Sequence, residues 1–70
     1  MRYAVVYEQT PNNYAAYVPD LPGCIATGET RDEVERLIRD GIRLHLDSMR
    51  RSGEAIPPAT TTVGSVDLEA

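Results

Sequence analysis

Residues 31–52 constrain the fold of this chain more than any other stretch. Thr30-Arg31-Asp32-Glu33 has the pattern of a capping box, with Thr30 accepting from a free backbone N–H and Glu33 reaching back. Asp32 and Glu33 also place negative charge at the positive end of the helix dipole. Beyond them Val34, Ile38, Gly41/Ile42, His45 and Met49 recur at three- and four-residue steps, and Leu37, Leu44 and Leu46 widen the stripe. Arg50 and Arg51 suit a last turn, Gly53 a C-terminal cap, and Ile56-Pro57-Pro58 forbids continuation. The spacing predicts one helix of roughly 30 Å, at ~1.5 Å per residue, packed through Val34, Ile38, Ile42 and Met49. In a chain of 70 residues no second long helix remains to receive that stripe, so a sheet must.

The strands are short. In Arg2–Glu8, Tyr3, Val5 and Tyr7 alternate with Ala4 and Val6, so both faces are apolar and a central position is expected. Thr10-Pro11-Asn12-Asn13 reads as a turn, and Tyr14–Val18 as the returning strand of a hairpin. In Pro19-Asp20-Leu21-Pro22-Gly23-Cys24, the Pro22-Gly23 pair suits the two central positions of a type II turn. Cys24–Thr27 is a third strand. Thr60–Val63 is β-prone, with Gly64 marking a bulge or bend before Val66 and Leu68. The expected architecture is α+β, in the order β-β-β-α-β: an antiparallel sheet with one long helix on one face. The other face has nothing in the chain to cover it, and a small domain gains much from association. A homodimer or higher oligomer is therefore expected.

Composition removes several classes of function. Hydrophobic residues at 41% and charged residues at 26% describe a soluble globular chain. No apolar run approaches the ~20 residues of a membrane span, and the N-terminus does not read as a signal peptide. One cysteine, Cys24, allows neither an internal disulfide nor a multi-cysteine zinc site, which points to the cytoplasm. Seven arginines and no lysine stand against eleven acidic residues, a net charge of −4 that argues against nucleic-acid binding by this chain alone and suits a basic partner.

No chemistry-bearing constellation emerges. Cys24 and His45 are a conceivable nucleophile–base pair, but no orienting group or oxyanion donor accompanies them, and His45 falls on the core stripe. Glu8, Asp20, Glu29 and Asp40 lack calcium-loop spacing, so no metal is expected. Gly23 and Gly28 lie in separate turns and form no phosphate loop, so no cofactor is expected either. The tyrosines, all within the first 17 residues, suit core or interface packing better than base stacking in so acidic a chain. The chain is expected to bind rather than catalyse. Contact with a partner is expected at the turn-rich segment Tyr17, Pro19, Asp20 and Leu21 with the adjoining Gly28 and Glu29, where an aromatic anchor and an exposed carboxylate meet. Pro22, Gly23, Thr30, Glu33 and Gly53 are expected to serve turns and caps.

Tyr14-Ala15-Ala16-Tyr17-Val18-Pro19-Asp20-Leu21-Pro22-Gly23-Cys24, followed by Ala26-Thr27-Gly28-Glu29-Thr30 and a helix carrying Glu33, resembles the HicB-type antitoxin domain. Gly53-Glu54-Ala55-Ile56-Pro57-Pro58 resembles the way that domain's helix ends. The resemblance covers about residues 1–60. It implies a partial ribonuclease-H-like fold lacking the nuclease's catalytic set. It also implies binding and neutralisation of a small basic HicA-type toxin, an mRNA-cleaving protein. The alternative is a solitary homo-oligomeric binding or structural protein without a toxin partner. Residues 61–70 are expected to be a C-terminal strand or tail with no separate DNA-binding domain.

Overall fold

A computed structural model describes residues 1–69. Its elements are β1 (Val6–Gln9), β2 (Tyr14–Tyr17), β3 (Ile25–Gly28) and α1 (Arg31–Arg51). The strands form one antiparallel sheet in the order β1-β2-β3, in register at Val6–Tyr17–Ile25, Tyr7–Ala16–Ala26 and Glu8–Ala15–Thr27. The first hairpin closes on Thr10, whose N–H donates to the Asn13 carbonyl at 2.9 Å and whose hydroxyl accepts from the Asn13 N–H at 2.9 Å.

Side-chain alternation divides the sheet into two faces. Ala16 lies in the core, with Tyr7, Tyr14 and Ala26 packed against that core from the same face. The core itself is Ala16, Val18, Leu21, Cys24, Val34, Ile38 and Leu46. The opposite face carries Tyr17 and Ile25, both exposed.

α1 starts and stops on its own local chemistry. The Thr30 hydroxyl accepts from the Glu33 N–H at 3.1 Å. The Glu33 carboxylate lies against Gly28 instead of closing the second half of the box. At the other end, the Gly53 N–H donates to Arg50 O and the Glu54 N–H to Met49 O, with Gly53 at φ +73°. That is the paired bonding of a Schellman motif, which needs a left-handed residue there.

Four expectations are corrected. The first strand is an edge strand confined to Val6–Gln9, because β2 pairs with it on one side and with β3 on the other. Tyr3 and Val5, which lie before it, and Tyr7 within it are only partly covered. The helix stripe is narrower than the periodicity suggests: Leu37 is 44% exposed and Leu44 70%, while Val34, Ile38 and Leu46 are buried and Ile42 partly so. Met49 is half-buried and outside that core. No strand follows α1 among the described residues. Pro57 and Pro58 have no N–H for a ladder, and the N–H groups of Thr60 and Thr61 are taken by the Asp20 carboxylate. The final residue of the expected 61–70 tail, Ala70, lies outside the described residues.

Candidate protein-docking surfaces

The segment from Val18 to Cys24 folds as two linked turns. Leu21 N–H donates to Val18 O, Cys24 N–H to Leu21 O, and Val18 N–H to Cys24 O across the base. Pro22 and Gly23 occupy the central positions of the second turn, and Gly23 sits at φ +85° with open space where a Cβ would be. The backbone angle alone accounts for that glycine. Both turns drive apolar side chains inward, so that Val18, Leu21 and Cys24 are buried and Leu21 has no exposed surface at all.

This geometry sorts the expected contact residues. Leu21 is a core side chain and cannot touch a partner, because the first turn aims it beneath the sheet rather than at solvent. Gly28 is set by a close approach: a Cβ there would lie 2.8 Å from Glu33 Oε1 and 3.0 Å from Val34 Cγ2, so the Glu33 carboxylate would have to swing away and the Val34 side chain give slightly. Pro19 is half-buried, whereas Tyr17 and Glu29 face solvent.

Asp20 is only partly exposed, and its carboxylate holds the chain beyond the helix. Oδ2 accepts from the N–H groups of Thr60 and Thr61, both at 3.0 Å, and Oδ1 from their hydroxyls at 3.2 and 2.7 Å. The bonds from Thr61, side chain first and then backbone, pull the Asp20 carboxyl below its ordinary value, and those from Thr60 add to them. The Tyr3 hydroxyl donates to the Pro57 carbonyl, a second tether between the N-terminus and the same segment.

Two apolar surfaces remain in reach of a partner. On the outer sheet face Val6, Tyr17 and Ile25 form one cross-strand row, with Tyr17 39% and Ile25 71% exposed. Glu8 stands on the same face, in the next row. Ile25 was missed by reading the sequence, since its outward direction follows from parity with Tyr17 and that needs the register. The other surface is a groove of 380 Å³ between the N-terminal residues and α1. Val5, Tyr7, Ile38, Ile42 and Leu46 line it, and Arg39 and Arg43 border it on the helix side. It exists because α1 lies over β2 and β3 and leaves β1 unroofed. Arg31 stacks on the Tyr7 ring, 3.3 Å from its centroid, and donates to Glu35 at 2.9 Å, tying the start of the helix to β1.

Nucleophilic chemistry finds no support at Cys24. Burial pushes its thiol up, away from the thiolate a nucleophile requires. Among the described residues no three His, Cys, Asp or Glu side chains gather as a metal would need, and no helix is long and apolar enough to cross a membrane.

The fold defines a class: a three-stranded antiparallel sheet backed by one helix, with apolar side chains exposed on the outer face and along one edge. The particular family follows from comparison with known sequences. Residues 3–69 match the model for the HicB-like antitoxin of bacterial toxin–antitoxin systems, and the chain belongs to that family. A UPF0150 protein of Thermoplasma acidophilum is 34% identical over 81% of this chain and 84% of its own length. A UPF0150 protein of Helicobacter pylori is 39% identical over 63% of this chain and 61% of its own length. An uncharacterised 14.9 kDa protein of Haemophilus phage HP1 is 32% identical over 81% of this chain, which spans 43% of that protein.

Proposed function

We propose that this chain neutralises a small basic HicA-type mRNA-cleaving toxin by binding it, without chemistry or a cofactor of its own. The match to the antitoxin family across residues 3–69 carries the reading. The acidic balance of −4 supports it, since opposite net charge speeds encounter with a basic partner. The docking surface is the outer sheet face, where Tyr17 and Ile25 supply an apolar anchor and Glu8 and Glu29 stand ready for basic side chains. The chain works in the cytoplasm, as a homo-oligomer, and does not bind nucleic acid alone.

The test is inhibition of mRNA cleavage by a purified basic HicA-type toxin encoded beside this reading frame. Wild type inhibits, and Ile25→Asp with Tyr17→Ala weakens inhibition by about 30-fold, the loss of a central anchor, while the melting curve stays put. Full inhibition by that double variant would move the contact elsewhere. A wild-type chain that self-associates and leaves the toxin fully active would instead establish the solitary binding protein.

A further inference from the structure

The groove over β1 has an apolar floor edged by arginines, and residues 66–69 are an exposed run of alternating apolar and acidic side chains, so the two are complementary. The groove has an apolar floor, with Ile38, Ile42 and Leu46 spaced along one side of α1 at four-residue steps. Arg39 and Arg43 stand beside them at the same step; Arg39 lies 4.0 Å from Glu35, which also lines the groove, whereas Arg43 makes no ion pair among the described residues and leaves the edge with a net positive charge. Residues 66–69 read Val66-Asp67-Leu68-Glu69, alternately apolar and acidic. Val66 is 81% exposed and Leu68 85%, so the tail lies off the body of its own copy.

The spacings agree. Four residues of helix advance roughly 6 Å, and two residues of extended chain advance roughly 6.7 Å. A tail lying along the groove therefore sets Val66 and Leu68 against successive turns of α1. Asp67 and Glu69 then remain at the mouth, level with the long side chains of Arg39 and Arg43. From the anchor at Thr61 to Leu68 the chain reaches about 23 Å when extended, enough to cross onto a neighbour.

We propose that residues 66–69 of one copy occupy the β1–α1 groove of a second copy, and that the exchange is reciprocal. Each copy owns one groove and one tail, so two copies close the arrangement around a twofold axis with nothing left over. This rests on the homo-oligomer proposed above and names the surfaces that form it. It leaves the outer sheet face free for a different partner.

The experiment is sedimentation velocity of the full chain at micromolar concentration with paired charge reversals. Arg39→Glu/Arg43→Glu inverts the groove, and Asp67→Arg/Glu69→Arg inverts the tail; all four positions are exposed, so the domain itself stays folded. Wild type sediments as a dimer. Each double variant alone dissociates at least about ten-fold more readily. An equimolar mixture of the two recovers the dimer, because each groove then meets a tail of opposite sign. Val66→Asp/Leu68→Asp is monomeric and is not rescued by either. A monomeric wild type would overturn both the oligomer and the exchange. A dimer indifferent to all these variants would overturn the exchange and leave the oligomer standing. Recovery only when all four reversals share one chain, and not on mixing, would assign the groove to the chain's own tail.

Discussion

Two of the segments outside helix and strand are held in opposite ways. Val18–Cys24 is ordered from within: its backbone closes on itself three times and its side chains Val18, Leu21 and Cys24 are core. The segment after Ser52 is ordered from outside. Beyond the half-buried Ile56 and Pro57 it depends on the Tyr3 hydroxyl and the Asp20 carboxylate, and past Thr61 its apolar side chains stand in water. The difference shows that irregular chain becomes part of a fold when it contributes apolar side chains to the core. Polar tethers position a segment without making it structural. Asp20 belongs to both, since it is a central residue of the first turn, Val18–Leu21, and clamps the second segment.

The sharpest way to break the comparison is Leu21→Ala. Emptying the most buried site of the inner segment should cost about 2–5 kcal/mol. That is a large share of the stability of so small a domain, and chemical denaturation would report it. A loss below about 1 kcal/mol, the size of an ordinary substitution, would mean that the turn's own hydrogen bonds, not burial, order the segment.

Gly23→Ala isolates the backbone contribution. No atom lies within 4 Å of the new methyl group, so only the left-handed φ of +85° resists it. The expected destabilisation is about 1–2 kcal/mol, and a melting temperature equal to wild type would show that the turn readily changes type.

The smallest global effect is expected at Asp20. Asp20→Ala should leave the sheet and helix intact while the Thr60 and Thr61 amides lose their protection from hydrogen exchange. Acid should do the same. The Asp20 carboxyl is held below its ordinary value of 3.8, so its contribution is fully present above that value and is lost as pH falls through the lowered one. Release of the two amides at neutral pH in wild type, or their persistence in Asp20→Ala, would show that Tyr3 and Ile56 hold the tail instead. Asp20→Arg thus has a consequence that an exposed carboxylate would not have. It frees the tail as well as reversing a charge, and a binding loss in that variant cannot be assigned to contact alone.

Much of the helix was legible because its determinants are local. Thr30, the apolar spacing from Val34 onward and Gly53 each act within a turn of their own position, so α1 ends within a residue of its expected bounds. The same holds for Pro22-Gly23. The outer docking face was half legible. Tyr17 announces itself as an aromatic beside a turn, but Ile25 becomes its neighbour only through the pairing of β2 with β3. The groove was not legible at all, since it is defined by what α1 fails to cover.

What the sequence determined by itself was what neighbours along the chain govern: the single helix, its caps at Thr30 and Gly53 though not the return bond expected of Glu33, the two hairpin turns and the acidic balance. Tertiary structure alone decided which apolar residues are buried, and so sent Leu21 inward and Leu44 outward although both read as hydrophobic. It alone placed β1 at the edge, and it alone turned Asp20 from a surface charge into the clamp on Thr60 and Thr61. The physical reason is range. Capping and turn formation are settled by groups a few residues apart, whereas burial and edge position depend on which distant segments meet, and a carboxylate binds whichever donors that meeting brings to it.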